Sequence, residues 1–429
     1  MSHSKKRRQC NCISRRSFLR GAAGIAITPI LGLGGLSGRR AYAAGAGNPG
    51  KFVVVINMLG GNDGLNTVIP THLPAYSTRR PALALQPVAD GLHALTGGWY
   101  LHGNLPTAKS LWDAGELHIV QKVGYPDENL SHFTSQDIYS FGVRDLQANG
   151  DGRGWLGRFA DAYCSTPSEP LGVIAVGVGR RPDFEAQTTP PLILKDVAGF
   201  NVLSDPLYEA DHSLRVGTIR SVLGAETPPI IEPDLTIFSS IEQAHNLVDR
   251  VQQETAGWVN PGTYPGTAIG GYLRTISQLL HAQDSFGTRI FYTGFGGFDT
   301  HATQEGSHAT LLGQLDAALS AFSQDMRNKG KWEDCAVIVI SEFGRRNAEN
   351  GSAGTDHGHG NCFLVCGGAV DGGSMTGDVA NTEIADRLQL GYTYDFRELY
   401  SNLVSAHIGV SAAPLFPETF VSTGDIQLI

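Results

Sequence analysis

Three short apolar runs, at residues 52–57, 289–292 and 336–340, each give way to a polar cluster, and this constrains the fold more than any other feature. The first leads into Gly60-Gly61-Asn62-Asp63-Gly64 and the second into Gly296-Gly297-Phe298-Asp299-Thr300-His301. The third leads into Ser341-Glu342-Phe343-Gly344-Arg345, and a fourth cluster, Gly354-Thr355-Asp356-His357-Gly358-His359-Gly360, lies among glycines. Runs this rich in β-branched residues suit strands buried on both faces. In open α/β sheets, ligands bind in the crevice beyond the carboxyl ends of the strands. The pattern therefore predicts one shared site built from distant parts of the chain.

Between these landmarks strands alternate with helices. Strands are expected at 51–57, 117–123, 171–176, 288–292, 336–340 and 362–366. Helices are expected at 105–114, 132–141, 154–163, 235–255, 268–284, 308–328 and 396–408. In 308–328, Leu311, Leu312, Leu315, Ala318, Leu319 and Phe322 recur at helical spacing. Such alternation predicts an α/β fold, a central mostly parallel sheet between helical layers. Residues 182–234 are irregular and proline-rich, and read as a loop insertion or lid in a single domain spanning 44–429. A hydrophobic content of 41% is ample for a core. Low charge, 17%, with 54 glycines favours a loop-rich globule over a coiled coil or a disordered chain.

The net charge of −9 hides an asymmetry. Nine of the 32 basic residues fall within residues 1–43, which hold no acid, so the remaining 23 face 41 acids at a balance of −18. Nucleic-acid binding depends on neutralising phosphates with Lys and Arg, so a body this acidic excludes that partner. The basic leader contains Ser14-Arg15-Arg16-Ser17-Phe18-Leu19-Arg20, a mild apolar stretch over 21–36 and Ala41-Tyr42-Ala43. This is the layout of a secretory signal with paired arginines. It implies passage through the twin-arginine export machinery and a periplasmic or extracellular location. A membrane anchor is the other reading, but the stretch is short, glycine-rich and broken by Pro29. The mature chain has no apolar run long enough for a stable membrane span. After cleavage four cysteines remain, Cys164, Cys335, Cys362 and Cys366, which read as buried free thiols without zinc-finger spacing.

The clusters pool carboxylates and imidazoles. Asp63 in its glycine-rich turn can approach a metal or phosphate closely, though alone it reads as an ordinary turn residue. Asp299 and His301, two apart, face the same way in extended backbone. Asp356, His357 and His359 form the densest group, and such residues suit zinc. Glu342, at a strand end, needs a counter-ion that either a metal or Arg345 would supply. Together these seven side chains are enough to hold two divalent ions, zinc and/or magnesium or calcium, able to clamp the oxygens of a phosphoryl displacement. Ser131, at an expected helix start, is the candidate nucleophile, or else simply the helix cap. His132 beside it would ligate metal or orient substrate. Arg153, Arg345 and Arg346 are candidates for binding an anion, although solvated surface arginine is the commoner fate.

These motifs, with the twin-arginine leader, Gly-Gly-Asn-Asp-Gly-Leu-Asn from Gly60 and Ser131-His132-Phe133, resemble the bacterial family called domain of unknown function 1501. That family is similar to the alkaline phosphatase and sulfatase superfamily. The resemblance implies an alkaline-phosphatase-like fold with a metal site at strand ends. By it, Asp63, Asp299, His301, Glu342, Asp356, His357 and His359 would be the ligands and Ser131 the nucleophile. Two departures stand out: Phe343 follows Glu342 where histidine is usual, and the sulfatase Cys-x-Pro-x-Arg signature is missing near Ser131. The expectation is a metal-dependent hydrolase acting on an anionic phosphate or related ester. A non-catalytic exported metal-binding or assembly protein that keeps the fold is the alternative.

Overall fold

The computed structural model describes residues 47–147, 149, 151–164, 171–201, 212–225 and 234–429. The leader expected at 1–43, with its arginine pair, lies outside the described residues. The chain divides into two compact units, one holding residues 201–250 and the other holding the described chain up to Phe200 and from Val251 onward.

In the larger unit a nine-stranded sheet forms from β1 (Phe52–Leu59), β2 (Leu117–Gly124), β3 (Val173–Val176), β4 (Leu192–Leu194), β5 (Ile290–Gly296), β6 (Cys335–Ile340), β7 (Asn361–Cys366), β8 (Ser374–Thr376) and β9 (Tyr394–Asp395). Its order is β8-β2-β7-β6-β1-β5-β3-β4, with β9 also paired to β2. All pairings are parallel except those of β7 with β2 and β6. The sheet is thus mostly parallel, as the alternation predicts. The chain reverses through residues 341–360 between β6 and β7, which makes β7 antiparallel and puts that loop at the carboxyl end of β6.

The labelled helices are α1 (Pro106–Asp113), α2 (His132–Phe141), α3 (Trp155–Tyr163), α4 (Ala268–Leu280), α5 (Gln304–Asn328) and α6 (Phe396–Asn402). Val53, Val55, Tyr292 and Ile338 on one sheet face pack with Trp155 and Phe159 of α3 and Phe396 and Leu399 of α6. The alternate residues Phe52, Val54, Ile56 and Phe291 are equally buried and point the other way. Helix α4 packs on β5, and α5, whose Leu312, Leu315 and Phe322 are buried, packs on α4.

The stretch 182–234 holds more sheet than its composition suggests. Strand β4 lies inside it and pairs in parallel with β3. Three apolar residues after Pro190-Pro191 are too few to register as periodicity, and prolines are tolerated at a sheet edge. Residues 202–211 and 226–233 of that stretch fall outside the described residues. In the smaller unit, helix His212–Ala225 is tied to the part of helix Asp234–Thr255 before Val251 by an Arg220–Asp249 ion pair of 2.5 Å. Cys164, Cys335, Cys362 and Cys366 are free and buried. Among the described residues no helix is long and apolar enough to cross a membrane.

Candidate metal centre

Strands β6, β1 and β5 are neighbours, so the loops at their carboxyl ends meet. Gly60 and Gly61 follow β1 with φ of +120° and +75°. A Cβ on Gly60 would lie 2.4 Å from the Asp299 amide nitrogen, and one on Gly61 would lie 2.3 Å from the Phe343 ring. Only glycine lets these loops close so tightly. Arg345, fully buried, ties them together: its guanidinium donates to the carbonyls of Gly60, Gly61, Phe298 and Thr355 and to Asp299 Oδ1 at 2.8 Å. It is therefore spent inside the structure and does not face a ligand. Arg153 is likewise committed, to Asp151 and Asp161.

Asp299 is the focus. Its Oδ1 lies 3.0 Å from His301 Nε2 and 3.1 Å from His357 Nε2, while Oδ2 lies 3.4 Å from His132 Nε2. His301 Nε2 and His357 Nε2 are 3.0 Å apart. One donor atom each from His132, Asp299 and His357 falls within 4.8 Å of the other two. Burial works to raise the Asp299 pKa, but the hydrogen bond from Arg345 and the Arg345 charge bring it down to about 2.

Each imidazole is held from behind. His357 Nδ1 is 2.8 Å from the Leu130 carbonyl, which can only accept, so Nδ1 carries the proton and a neutral ring leaves Nε2 with a lone pair. Burial lowers the His357 pKa, which favours that neutral form. His132 Nδ1 is 2.9 Å from Glu342 Oε1, and His301 Nδ1 is 3.3 Å from Asp356 Oδ1. The hydrogen bond to Glu342 raises the His132 pKa against the opposing effect of burial. Phe343 packs against both His132 and His357, with ring centroids 4.8 and 4.7 Å away, so it forms an apolar floor where the resemblance expects histidine.

The donor set fits a divalent cation. His132 Nε2 is buried with no hydrogen-bond partner. Two Nε2 lone pairs facing each other at 3.0 Å repel unless a proton or a cation lies between them. A tetrahedral zinc with ligands at about 2.0–2.1 Å separates its donor atoms by roughly 3.3 Å, close to the spacings found here. Metal-bound histidines ordinarily pass their other N–H to a carboxylate or carbonyl, as all three do.

The remaining expected ligands stand elsewhere. Asp63 is buried, and its Oδ2 accepts from Arg80 at 2.6 Å and Gln304 at 2.5 Å. Burial works to raise its pKa, and the Arg80 charge and hydrogen bond outweigh that and lower it. Glu342 is buried, and its Oε1 also accepts from the Gly60 amide and from Gln136. Asp356 backs His301. His359 is buried apart from the three imidazoles, accepting weakly from the Tyr125 amide at 3.4 Å and packing against Tyr125 and Tyr392. Ser131 is the exposed N-cap residue of α2, but its side chain makes no capping bond. Sequence reasoning missed Gln136, which its four-residue offset from His132 on α2 would have exposed. Arg80 and the Leu130 carbonyl carry no such signal.

Residues 280–402 match a family described as a protein of unknown function, DUF1501. The resemblance read from the motifs is borne out over that stretch, which contains Asp299, His301, Glu342, Asp356, His357 and His359. No curated protein matches. Similar solved structures include the lipoteichoic acid synthase LtaP of Listeria monocytogenes, 8% identical over 85% of this chain and 73% of its own, with a TM-score of 0.36. The phosphonate monoester hydrolase of Agrobacterium radiobacter is 10% identical over 85% of this chain and 77% of its own, at 0.33. The alkaline phosphatase of the Antarctic bacterium TAB5 is 10% identical over 79% of this chain and 96% of its own, at 0.31.

Proposed function

We propose that this chain is an exported hydrolase of phosphate or related esters that depends on one divalent metal ion, held by His132, Asp299, His301 and His357. The supporting observation is the convergence of three Nε2 atoms on one carboxylate, each ring fixed by a second partner at Nδ1. Nitrogen-rich donors favour zinc over magnesium or calcium, which prefer oxygen. When bound, such an ion supplies Lewis-acid stabilisation of an ester oxyanion.

The chain's own groups do the rest. Ser131, exposed beside His132, offers its hydroxyl as the nucleophile. The first-turn amides of α2 favour an anion at the same helix end. Glu342, Asp356 and the Leu130 carbonyl orient the rings. Asp63 is neutralised by Arg80, which argues for one ion in place of two. The leader directs the folded protein out of the cytoplasm, to the periplasm or beyond.

Protein purified without chelator should contain about one zinc per chain and hydrolyse simple phosphate mono- or diesters. Ser131→Ala should abolish turnover while leaving the metal in place. Full activity in Ser131→Ala removes the nucleophile. A protein without metal or turnover is the non-catalytic binding or assembly factor.

A further inference from the structure

Beside this centre lies a set of arginines that the fold engages only loosely. Arg346 follows the buried Arg345, and its side chain is 42% exposed. Its ion pair with Asp356 spans 3.8 Å, beyond hydrogen-bond reach, and its Nε is buried without a hydrogen-bond partner. Asp356 is the carboxylate that backs His301, so this guanidinium is one side chain removed from the proposed metal ligands.

Two further arginines border it. Arg80 donates to the Arg346 carbonyl at 2.8 Å, and Arg346 pairs with Gln389 as an isolated bridge. The Arg387 carbonyl accepts from both Arg79 at 3.4 Å and Asn347 at 3.1 Å. Segments 79–80, 346–347 and 387–389 therefore lie side by side. Arg79 Nε is also buried without a hydrogen-bond partner, and the Arg387 side chain is 67% exposed, its Nη1 standing 3.8 Å from Glu383 Oε1. Two of the acids nearby already have other partners. Glu349 accepts from the amides of Ala82 and Leu83, and Glu383 accepts from Lys122 at 2.9 Å and from the Gly391 amide.

A half-exposed guanidinium with spare donors, next to a cation centre in a body of net charge −18, is arranged for an oxyanion. We propose that Arg346, with Arg79 and Arg387 beside it, binds a second oxyanion on the substrate. The preferred substrate is then an ester carrying a further phosphate or sulfate group beyond the scissile one. This rests on the metal-hydrolase reading.

The test uses the mature chain loaded with zinc, and two non-hydrolysable probes, phenylphosphonate and 1,4-phenylenebisphosphonate, titrated by calorimetry. The native protein should bind the bisphosphonate about tenfold more tightly than the monophosphonate, with a preference that weakens in salt. Arg346→Gln should reduce that preference to about twofold, and Arg346→Lys should retain part of it as a point charge. Metal content and thermal midpoint should be unchanged in both. Equal affinity of the native protein for the two probes, or a preference untouched in Arg346→Gln and in Arg79→Gln/Arg346→Gln, overturns the proposal. A preference that disappears in Arg346→Gln, in a protein that hydrolyses no ester, sinks the hydrolase reading and leaves the arginine site standing.

Discussion

Asp299 carries more of the site than any other residue, since Arg345 and three imidazoles all address its two oxygens. Its side chain is 47% exposed, yet it is also the carboxylate that faces the fully buried Arg345 guanidinium. Asp299→Asn should lower the thermal midpoint, because the buried Arg345 loses its carboxylate, and lower zinc affinity by more than the roughly 10–100-fold that loss of an outer partner costs. Glu342→Gln, which keeps an acceptor for His132 Nδ1 and removes its charge, should fall within that 10–100-fold range. A competition titration against a chelator separates the two. Arg80 is the structural counterpart. It is fully buried against the buried Asp63, and removing it strands a carboxylate away from water. Arg80→Met should cost about 3–5 kcal/mol in urea unfolding. A loss under 1 kcal/mol would show that Asp63 is protonated or finds another partner.

At the scale of elements, the site depends on loops that only glycine allows to meet. Gly60 sits at φ +120° directly against the Asp299 backbone. Gly60→Ala should therefore both lower the melting temperature and weaken metal binding, whereas Gly115→Ala, whose positive φ faces open space, should do only the first. Sequence reading found the strands of this site because each is a continuous apolar run whose end is marked by glycine or charge. It named Asp299 and His301 because they follow such a run, His357 because it stands in a dense polar cluster among glycines, and His132 because it sits beside Ser131 at a helix start, and the fold brings these four together. It could not divide ligands from supports. Whether Glu342 touches a metal or a ligand's Nδ1 is decided by a helix entering from residue 132, and nothing local in Ser341-Glu342-Phe343 encodes that approach. Asp63 looked like a ligand because its neutralising partner lies 17 residues away at the end of a six-residue helix. Strand β4 and the small sheet of Val68–Ile69, His93–Ala94 and Tyr100–Leu101 are too short for periodicity to detect.

For the whole molecule, the acid limb of stability follows from buried imidazole. His308 on α5 is fully buried, with Nε2 2.9 Å from Asn62 Oδ1, and burial pushes its pKa down to about 4. Asp63 pulls the other way, but Arg80, Arg345 and His102 reinforce the lowering. The unfolded chain protonates this ring near 6.5, so below that pH the unfolded state binds the extra proton and gains. Stability should be complete above about pH 6.5 and decline steadily toward pH 4, by about 3 kcal/mol for this one group. His102, whose pKa burial also lowers, adds in the same direction. The carboxylates act later: Asp299 and Asp63, with lowered pKa values, lose their contribution only as the pH falls below about 4. Urea midpoints at pH 7, 6, 5 and 4 should therefore drop before Asp299 and Asp63 titrate. His308→Gln, which keeps a donor toward Asn62, should start lower at pH 7 and show a flatter profile down to pH 4. A variant profile as steep as the native one would assign the acid limb to some other group.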